Sequence, residues 1–323
     1  MATCVLPLPV HNMTLSLLLH RAALVLVPML FASHDVTRVP AAEFDISGTV
    51  TGPRGPEAGV WVIAETDDLA TRFVKIVVTD DRGRYVIPEL PKANYSVWVR
   101  GYGLPDSPKQ RGSPCATVNH RVAAASDAKA AARIYPAGYW FSLLRPPAAS
   151  EFPGTGPNGN GLSTRLTTQS HLLRTIKSGG CTACHQLGTI GTRELPPSLG
   201  KFNSSVDAWH RRVQSGQAGP NMIGTLEQLG RQRLLEMFAD WTDRIAGGEV
   251  PAEAPRRPEG LERNVVITQW DWADPKAYLH DLVGTDRRNP TVNANGKFYG
   301  ATEAAADYLP VLDPVRHEAS RVP

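Results

Sequence analysis

The sequence predicts a multidomain chain: an all-β sandwich on the N-terminal side, an all-α unit after it, and a short β-rich C-terminal extension. Three observations predict it. Residues 44–100 alternate apolar and polar in short runs cut by Gly, Pro and Asp. Residues 168–246 place apolar side chains at three- and four-residue steps, and strand-like text returns at 264–272 after a Pro-rich break. The chain has 323 residues, 42% of them apolar, which is enough for more than one packed core. Its 34 Lys and Arg stand against 31 Asp and Glu. A balance this even argues against a nucleic-acid-binding tail and against disorder throughout.

Residues 1–41 read as a leader rather than as part of a fold. An apolar run at 15–19 is followed by His20 and Arg21, a second run at 22–32, and small residues at Val39 and Ala41. A basic flank, an apolar stretch and small residues at −3 and −1 describe a secretory signal peptide. The rival is a single membrane anchor, but the uninterrupted run falls short of the roughly 20 residues that span hydrocarbon. The expectation is therefore a periplasmic or secreted protein with no stable membrane insertion once the signal is removed. Removal takes Cys4, Met1, Met13 and Met29 with it and leaves Cys115, Cys181, Cys184, Met222 and Met237.

From 42 to 125 the sandwich elements follow in order: Phe44, Ile46 and Val50; then runs at 60–64, 73–79, 84–87 and 95–100. Gly- and Pro-rich text at 51–56 and the turn Asp80-Asp81-Arg82-Gly83 separate them. The segments Ile46-Ser47-Gly48-Thr49-Val50, Thr79 to Tyr85 and Leu90 to Tyr95 resemble the carboxypeptidase regulatory-like domain, a transthyretin-like sandwich. The resemblance covers about a quarter of the chain and implies a structural module. Residues 126–165 read as a linker, Ala-rich at first, with an aromatic knot at Tyr139-Trp140-Phe141 and a Gly/Pro tract at 153–161. That tract excludes helix and central strand.

The chemistry lies in the next unit, 166–250, at Cys181-Thr182-Ala183-Cys184-His185. Two thiols three residues apart suit the two vinyl groups of one haem, and the adjacent imidazole then reaches the iron. With four Cys and nine His in the chain, chance produces this pattern on the order of once in a thousand such sequences. Two rivals stand beside it. A zinc ribbon needs a second ligand pair, and the sequence has no other Cys-x-x-Cys. A thioredoxin-like dithiol needs a βαβ setting and has no use for the following His.

The surroundings extend the reading. Leu172, Leu173 and Ile176 fall on one face of a predicted helix over 168–177, and Pro196-Pro197-Ser198-Leu199-Gly200 follows the motif. These residues are similar to a small soluble cytochrome c of class I type. The resemblance implies an all-α domain in which the Pro197 carbonyl accepts the His185 imidazole N–H, and in which a Met closes the distal side. Met222, in a Gly/Pro loop read over 215–222, is the preferred sixth ligand, with Met237 and His210 as rivals. The His185–Met222 interval of 37 residues is closer to compact bacterial cytochromes than to mitochondrial ones. One long helix is predicted over 225–246, with Trp241 as a core residue or a propionate donor. Arg211 and Arg212 read as propionate or partner contacts, or as a solvated face. Cys115, without a partner in a processed chain, reads as an inert or free thiol.

Residues 251–323 begin with a Pro-rich linker, and the strand-and-turn text at 307–314 resembles one blade of a streptogramin-lyase-like β-propeller. The notional whole is an exported c-type cytochrome with one covalent haem c, bound by Cys181, Cys184, His185 and Met222, exchanging electrons with a redox partner protein. Two alternatives remain at this stage: the electron-input part of a larger propeller-containing enzyme, and a haem protein that binds a small ligand.

Overall fold

The computed structural model describes residues 43–178, 181, 186–216, 218–272, 279–302 and 307–323. The first eight strands are β1 (Ile46–Gly52), β2 (Gly55–Pro56), β3 (Trp61–Thr66), β4 (Phe73–Val78), β5 (Arg84–Ile87), β6 (Tyr95–Arg100), β7 (Gln110–Gly112) and β8 (His120–Arg121). One sheet runs β2-β1-β5, with β8 parallel to β1. The other runs β7-β6-β3-β4. Alternation decides which side chains meet between them: Phe73 and Val77 of β4, and Tyr95, Val97 and Val99 of β6, are buried while their neighbours are half-buried. The turn into β5 is fixed by the Asp80 carboxylate, which accepts the backbone N–H groups of Arg82 (2.9 Å) and Arg84 (2.8 Å). Gly48 is required by close approach, because a Cβ there would sit 1.9 Å from the Val118 carbonyl oxygen that the Tyr85 hydroxyl also reaches.

Seven helices follow among the described residues: α1 (Ala128–Ala132), α2 (Ala137–Phe141), α3 (Gln169–Ser178), α4 (Ile190–Arg193), α5 (Ser205–Arg212), α6 (Gly219–Leu229) and α7 (Arg231–Ala246). Ser204 caps α5, its hydroxyl accepting the Asp207 N–H at 3.1 Å. The buried faces of α3, α5, α6 and α7 meet in one apolar cluster around Leu172, Ile176, Trp209, Leu226, Phe238 and Trp241. Trp209 stacks on Phe238 with ring centroids 5.0 Å apart. The segment 251–264 then returns to the sandwich, where Arg257 pairs with Glu57 at 2.6 Å and donates to the Tyr102 carbonyl.

The last strands are β9 (Ile267–Trp270), β10 (Leu279–Val283), β11 (Phe298–Thr302), β12 (Leu309–Asp313) and β13 (Glu318–Val322). Strand β9 pairs antiparallel with β4 and becomes the fifth strand of the sandwich sheet. The other four form a separate antiparallel sheet in sequential order. Trp270 and His317 join the two: the indole Nε1–H donates to His317 Nδ1 at 3.1 Å, and both rings contact Phe73.

The predicted fold class needs correction. Of the described residues 27% are helical and 23% lie in strands, and no compact all-α cytochrome c domain is evident. Sheets frame the described chain from both ends. The predicted linker at 126–165 holds α1 and α2 and supplies Trp140, Leu144, Leu162 and Leu166 to the helical core. The single helix predicted over 225–246 is two, broken at Gly230 with φ +105°. The C-terminal extension is not a mere tail, since β9 completes the sandwich and a four-stranded sheet follows. The physical reason is shared. Apolar periodicity runs on through Gly230, and apolar residues within Gly/Pro text still find a core, so periodicity alone draws the wrong boundaries. Among the described residues no helix is long and apolar enough to cross a membrane.

Two expectations follow. A Cβ at Gly230 would meet the Gly161 carbonyl oxygen at 2.2 Å, in a backbone conformation that L side chains resist. Gly230→Ala is therefore expected to destabilise the chain by more than about 1 kcal/mol in urea unfolding. The second concerns pH. Burial, and then the Lys75 ammonium, hold His317 below its ordinary pKa, while Asp313 partly opposes them. A depressed histidine pKa means that the unfolded chain takes up the proton first. Its contribution is complete above the unfolded value of about 6.5 and is lost as pH falls through the folded value. Imidazolium Nδ1 also cannot accept the Trp270 N–H. Melting temperature is expected to drop between pH 7.5 and 5.5, and to drop less in His317→Gln.

Candidate haem attachment site

Helix α3 leads the chain to the motif. Its buried Leu172 and Ile176 fix it on the helical cluster, and Cys181 follows three residues after its end. Cys181 is a free thiol, half-buried against that same cluster. Burial pushes its pKa up to about 11. At neutral pH this sulfur is held as the thiol, which makes it a poor nucleophile in the folded chain. Cys184 and His185 lie outside the described residues.

Met222 does not sit in a loop. It lies near the start of α6, where its N–H donates to the Ala218 carbonyl at 3.0 Å, and its side chain is half-buried against the apolar cluster that Cys181 borders. Met237, the rival, is buried inside the core. His210 is half-buried rather than exposed, with Nε2 next to the Arg231 guanidinium and 2.8 Å from Gln214 Nε2. Its ring is therefore committed to α5–α7 contacts.

Pro197 opens a single 3₁₀ turn, Pro197–Leu199, and its carbonyl accepts the Gly200 N–H at 3.2 Å. A carbonyl has a second lone pair, so this bond leaves room for another donor. Trp241 is fully buried and donates to the Trp140 carbonyl at 3.0 Å, which makes it a core residue. Arg212 lies over the Trp209 ring and donates to the carbonyls of Thr192 (3.3 Å) and Glu194 (2.9 Å). It is a brace between α5 and α4, not a solvated face. Cys115 also corrects its sequence reading: it is disulfide-bonded, to a partner outside the described residues.

Sequence reasoning missed Arg193. It is buried, with Nη1 donating to the Gly188 carbonyl at 2.7 Å and its guanidinium 4.1 Å from the Trp140 ring centroid. Charge composition gave no sign of it, since an Arg in a Gly/Thr-rich stretch reads as solvated. Among the described residues no three His, Cys, Asp or Glu side chains come together in a group able to hold a metal ion. A haem needs something different: an apolar wall with a thiol and a soft donor at its edge. Cys181 and Met222 are both half-buried against the apolar cluster of the helices.

Compared with known protein families and with characterised proteins, the chain matches none of them in sequence.

The raised Cys181 pKa sets an expectation. In chain made without haem-attachment machinery, iodoacetamide at pH 7.5 should label folded Cys181 at least tenfold more slowly than the urea-unfolded chain, as read by peptide mass spectrometry.

Proposed function

We propose that this chain is an exported electron carrier with one haem c, attached through thioethers to Cys181 and Cys184 and ligated by His185 and Met222. The observation that carries the reading is the spacing Cys181-x-x-Cys184-His185. It is supported by the setting of Cys181 and Met222, both half-buried on one apolar cluster. The half-buried Cys181 thiol, its pKa pushed up to about 11, is poorly suited to dithiol exchange in the folded chain, which weighs against the redox-motif rival.

When bound, haem c supplies one-electron exchange at its iron. The protein's own residues hold and shield it. Cys181 and Cys184 would hold it through thioethers, and His185 and the Met222 thioether would ligate its iron, a pair that raises the potential relative to two imidazoles. Leu172, Ile176 and Trp209 are buried in the cluster that Cys181 and Met222 border. The Pro197 carbonyl is the proposed acceptor for the second imidazole nitrogen, which would fix the ring. The leader at 1–41 carries the export part of the reading, and a redox protein is the proposed partner. A second reading, the electron-input part of a larger propeller-containing enzyme, draws on the sequential four-stranded sheet β10–β13, the strand order of a propeller blade.

The test is the full chain co-expressed with a cytochrome c maturation system. Haem that stays with the denatured chain, and the weak far-red band of methionine ligation in the oxidised form, are the expected results. The band should vanish in Met222→Ala and persist in Met237→Ala. Non-reducing peptide mapping adds a second readout. A sulfur in a disulfide cannot also form a thioether, and the proposed processing removes Cys4, so the proposal requires that the processed, haem-loaded chain holds no Cys115–Cys184 bond. Absence of covalent haem, or a Cys115–Cys184 peptide from the haem-stained band, would overturn the proposal.

A further inference from the structure

Among the described residues, no strand of the sheet β10–β13 pairs with a strand of the sandwich. Side chains join the two instead. Just after β9, the Trp272 ring lies against Gly300 of β11. The turn between β12 and β13 then brings His317 onto the sandwich. Its ring meets Phe73 of β4 edge-on, with centroids 4.9 Å apart and planes at 80°, and stacks beside Trp270 of β9 at 6.0 Å and 20°. The Trp270 indole N–H donates to its Nδ1 at 3.1 Å. Phe73 is fully buried, and the His317 ring is part of what covers it. His317 has φ +54°, a left-handed conformation that a residue with a side chain holds at a cost.

These contacts use the neutral ring. Nδ1 accepts the indole N–H only while it carries no proton, and a protonated ring sets donor against donor. Attraction of the cation to the Trp270 face offsets part of that loss. The surrounding charges decide the sign. From β4, the Lys75 ammonium opposes a cation on His317. Lys75 is itself buried, donating to the Glu89 carbonyl at 3.3 Å, with the Glu89 and Asp45 carboxylates favouring its charge. Strand β9 carries no titratable side chain. On the turn's own side Asp313 favours the cation, but its carboxylate already accepts the N–H groups of Val315 (3.1 Å) and Arg316 (3.0 Å). Arg316 and Glu318 flank His317 and are exposed. Burial and Lys75 together outweigh Asp313, so the docked ring takes up a proton less readily than a free one. The proton is thus a ligand of the released state, and acid shifts the balance towards release.

We propose that His317 is a pH-sensitive latch: on protonation the β12–β13 turn leaves Phe73 and Trp270, and the sheet β10–β13 undocks from the sandwich with the Trp272–Gly300 contact as its pivot. The latch is closed at neutral pH and opens as pH falls below the ordinary histidine value of about 6.5. It does not rest on the haem reading. It also differs from a loss of global stability, because the sandwich core and the helical cluster stay packed while the sheet swings away.

The test is hydroxyl-radical footprinting of the full chain at pH 7.5 and pH 5.0, read by peptide mass spectrometry. Oxidation of Phe73 and Trp270 is expected to rise at least threefold at pH 5.0 and to return when the sample is brought back to pH 7.5. Trp241 and Tyr85, inside the helical and sandwich cores, should not change. His317→Gln offers the indole N–H a neutral acceptor at both pH values and should show no rise. Should the glutamine variant fail to fold, His317→Asn, which suits a left-handed turn, takes its place. No rise at Phe73 and Trp270 overturns the proposal. So does a rise that Trp241 and Tyr85 share, or one that persists in the folded variant.

Discussion

The helical half of this protein depends on one bond between residues 101 positions apart, from the Trp241 indole N–H to the Trp140 carbonyl. Trp241 is the largest fully buried side chain among the described residues, and an indole N–H sealed from water must find an acceptor. The acceptor it finds anchors α2 to α7. Arg244 repeats the link, donating to the Leu143 carbonyl at 2.6 Å. Once α2 is fixed there, Trp140 donates its own N–H to the Ala132 carbonyl and offers its ring face to Arg193, so α1, α2 and α4 are all placed relative to α7. Residues that look like a spacer therefore form one wall of the core.

The sandwich was legible because its information is local. Alternation names the buried face of each strand, and Asp80 with Gly83 names the turn. What was not legible is pairing at long range. Nothing in Ile267–Trp270 announces that its partner is Phe73–Ile76, nearly two hundred residues earlier. That choice comes from an open sheet edge at β4 together with the aromatic fit of Trp270 on Phe73. The break at Gly230 was hidden for the opposite reason. Leu226, Leu229 and Leu234 keep a near-helical rhythm across it, and only the close approach of the Gly161 carbonyl requires the positive φ. At the site, the Cys-x-x-Cys-His text was legible from chemistry alone. The position of Met222 on a helix was not, because Gly219 and Pro220 read as a loop, although Pro suits the first turn of a helix.

Three cations withdrawn from water show how this chain handles charge. Lys75, on the inner face of β4, donates to the Glu89 carbonyl at 3.3 Å, and Arg212 donates to two carbonyls beside α4. Burial lowers the pKa of Lys75, Arg193 and Arg212 alike. A carbonyl is a partial charge, so it offsets only part of the cost of desolvating an ammonium or guanidinium. Lys75 recovers more from the carboxylates of Glu89 and Asp45, which favour its charged form. Arg212 recovers it from a second carbonyl and from the Trp209 face.

Arg193 is among the most buried. It has one carbonyl, one ring, an idle Nε, and the Glu194 carboxylate, which favours its charge while Arg133 opposes it. Guanidinium cannot escape by losing its proton at physiological pH, as a buried lysine can. What the Glu194 carboxylate, the Gly188 carbonyl and the Trp140 face do not offset is carried by the rest of the core. Folding stability totals only some 5–15 kcal/mol for typical domains, so a penalty of several kcal/mol is a large fraction to leave standing.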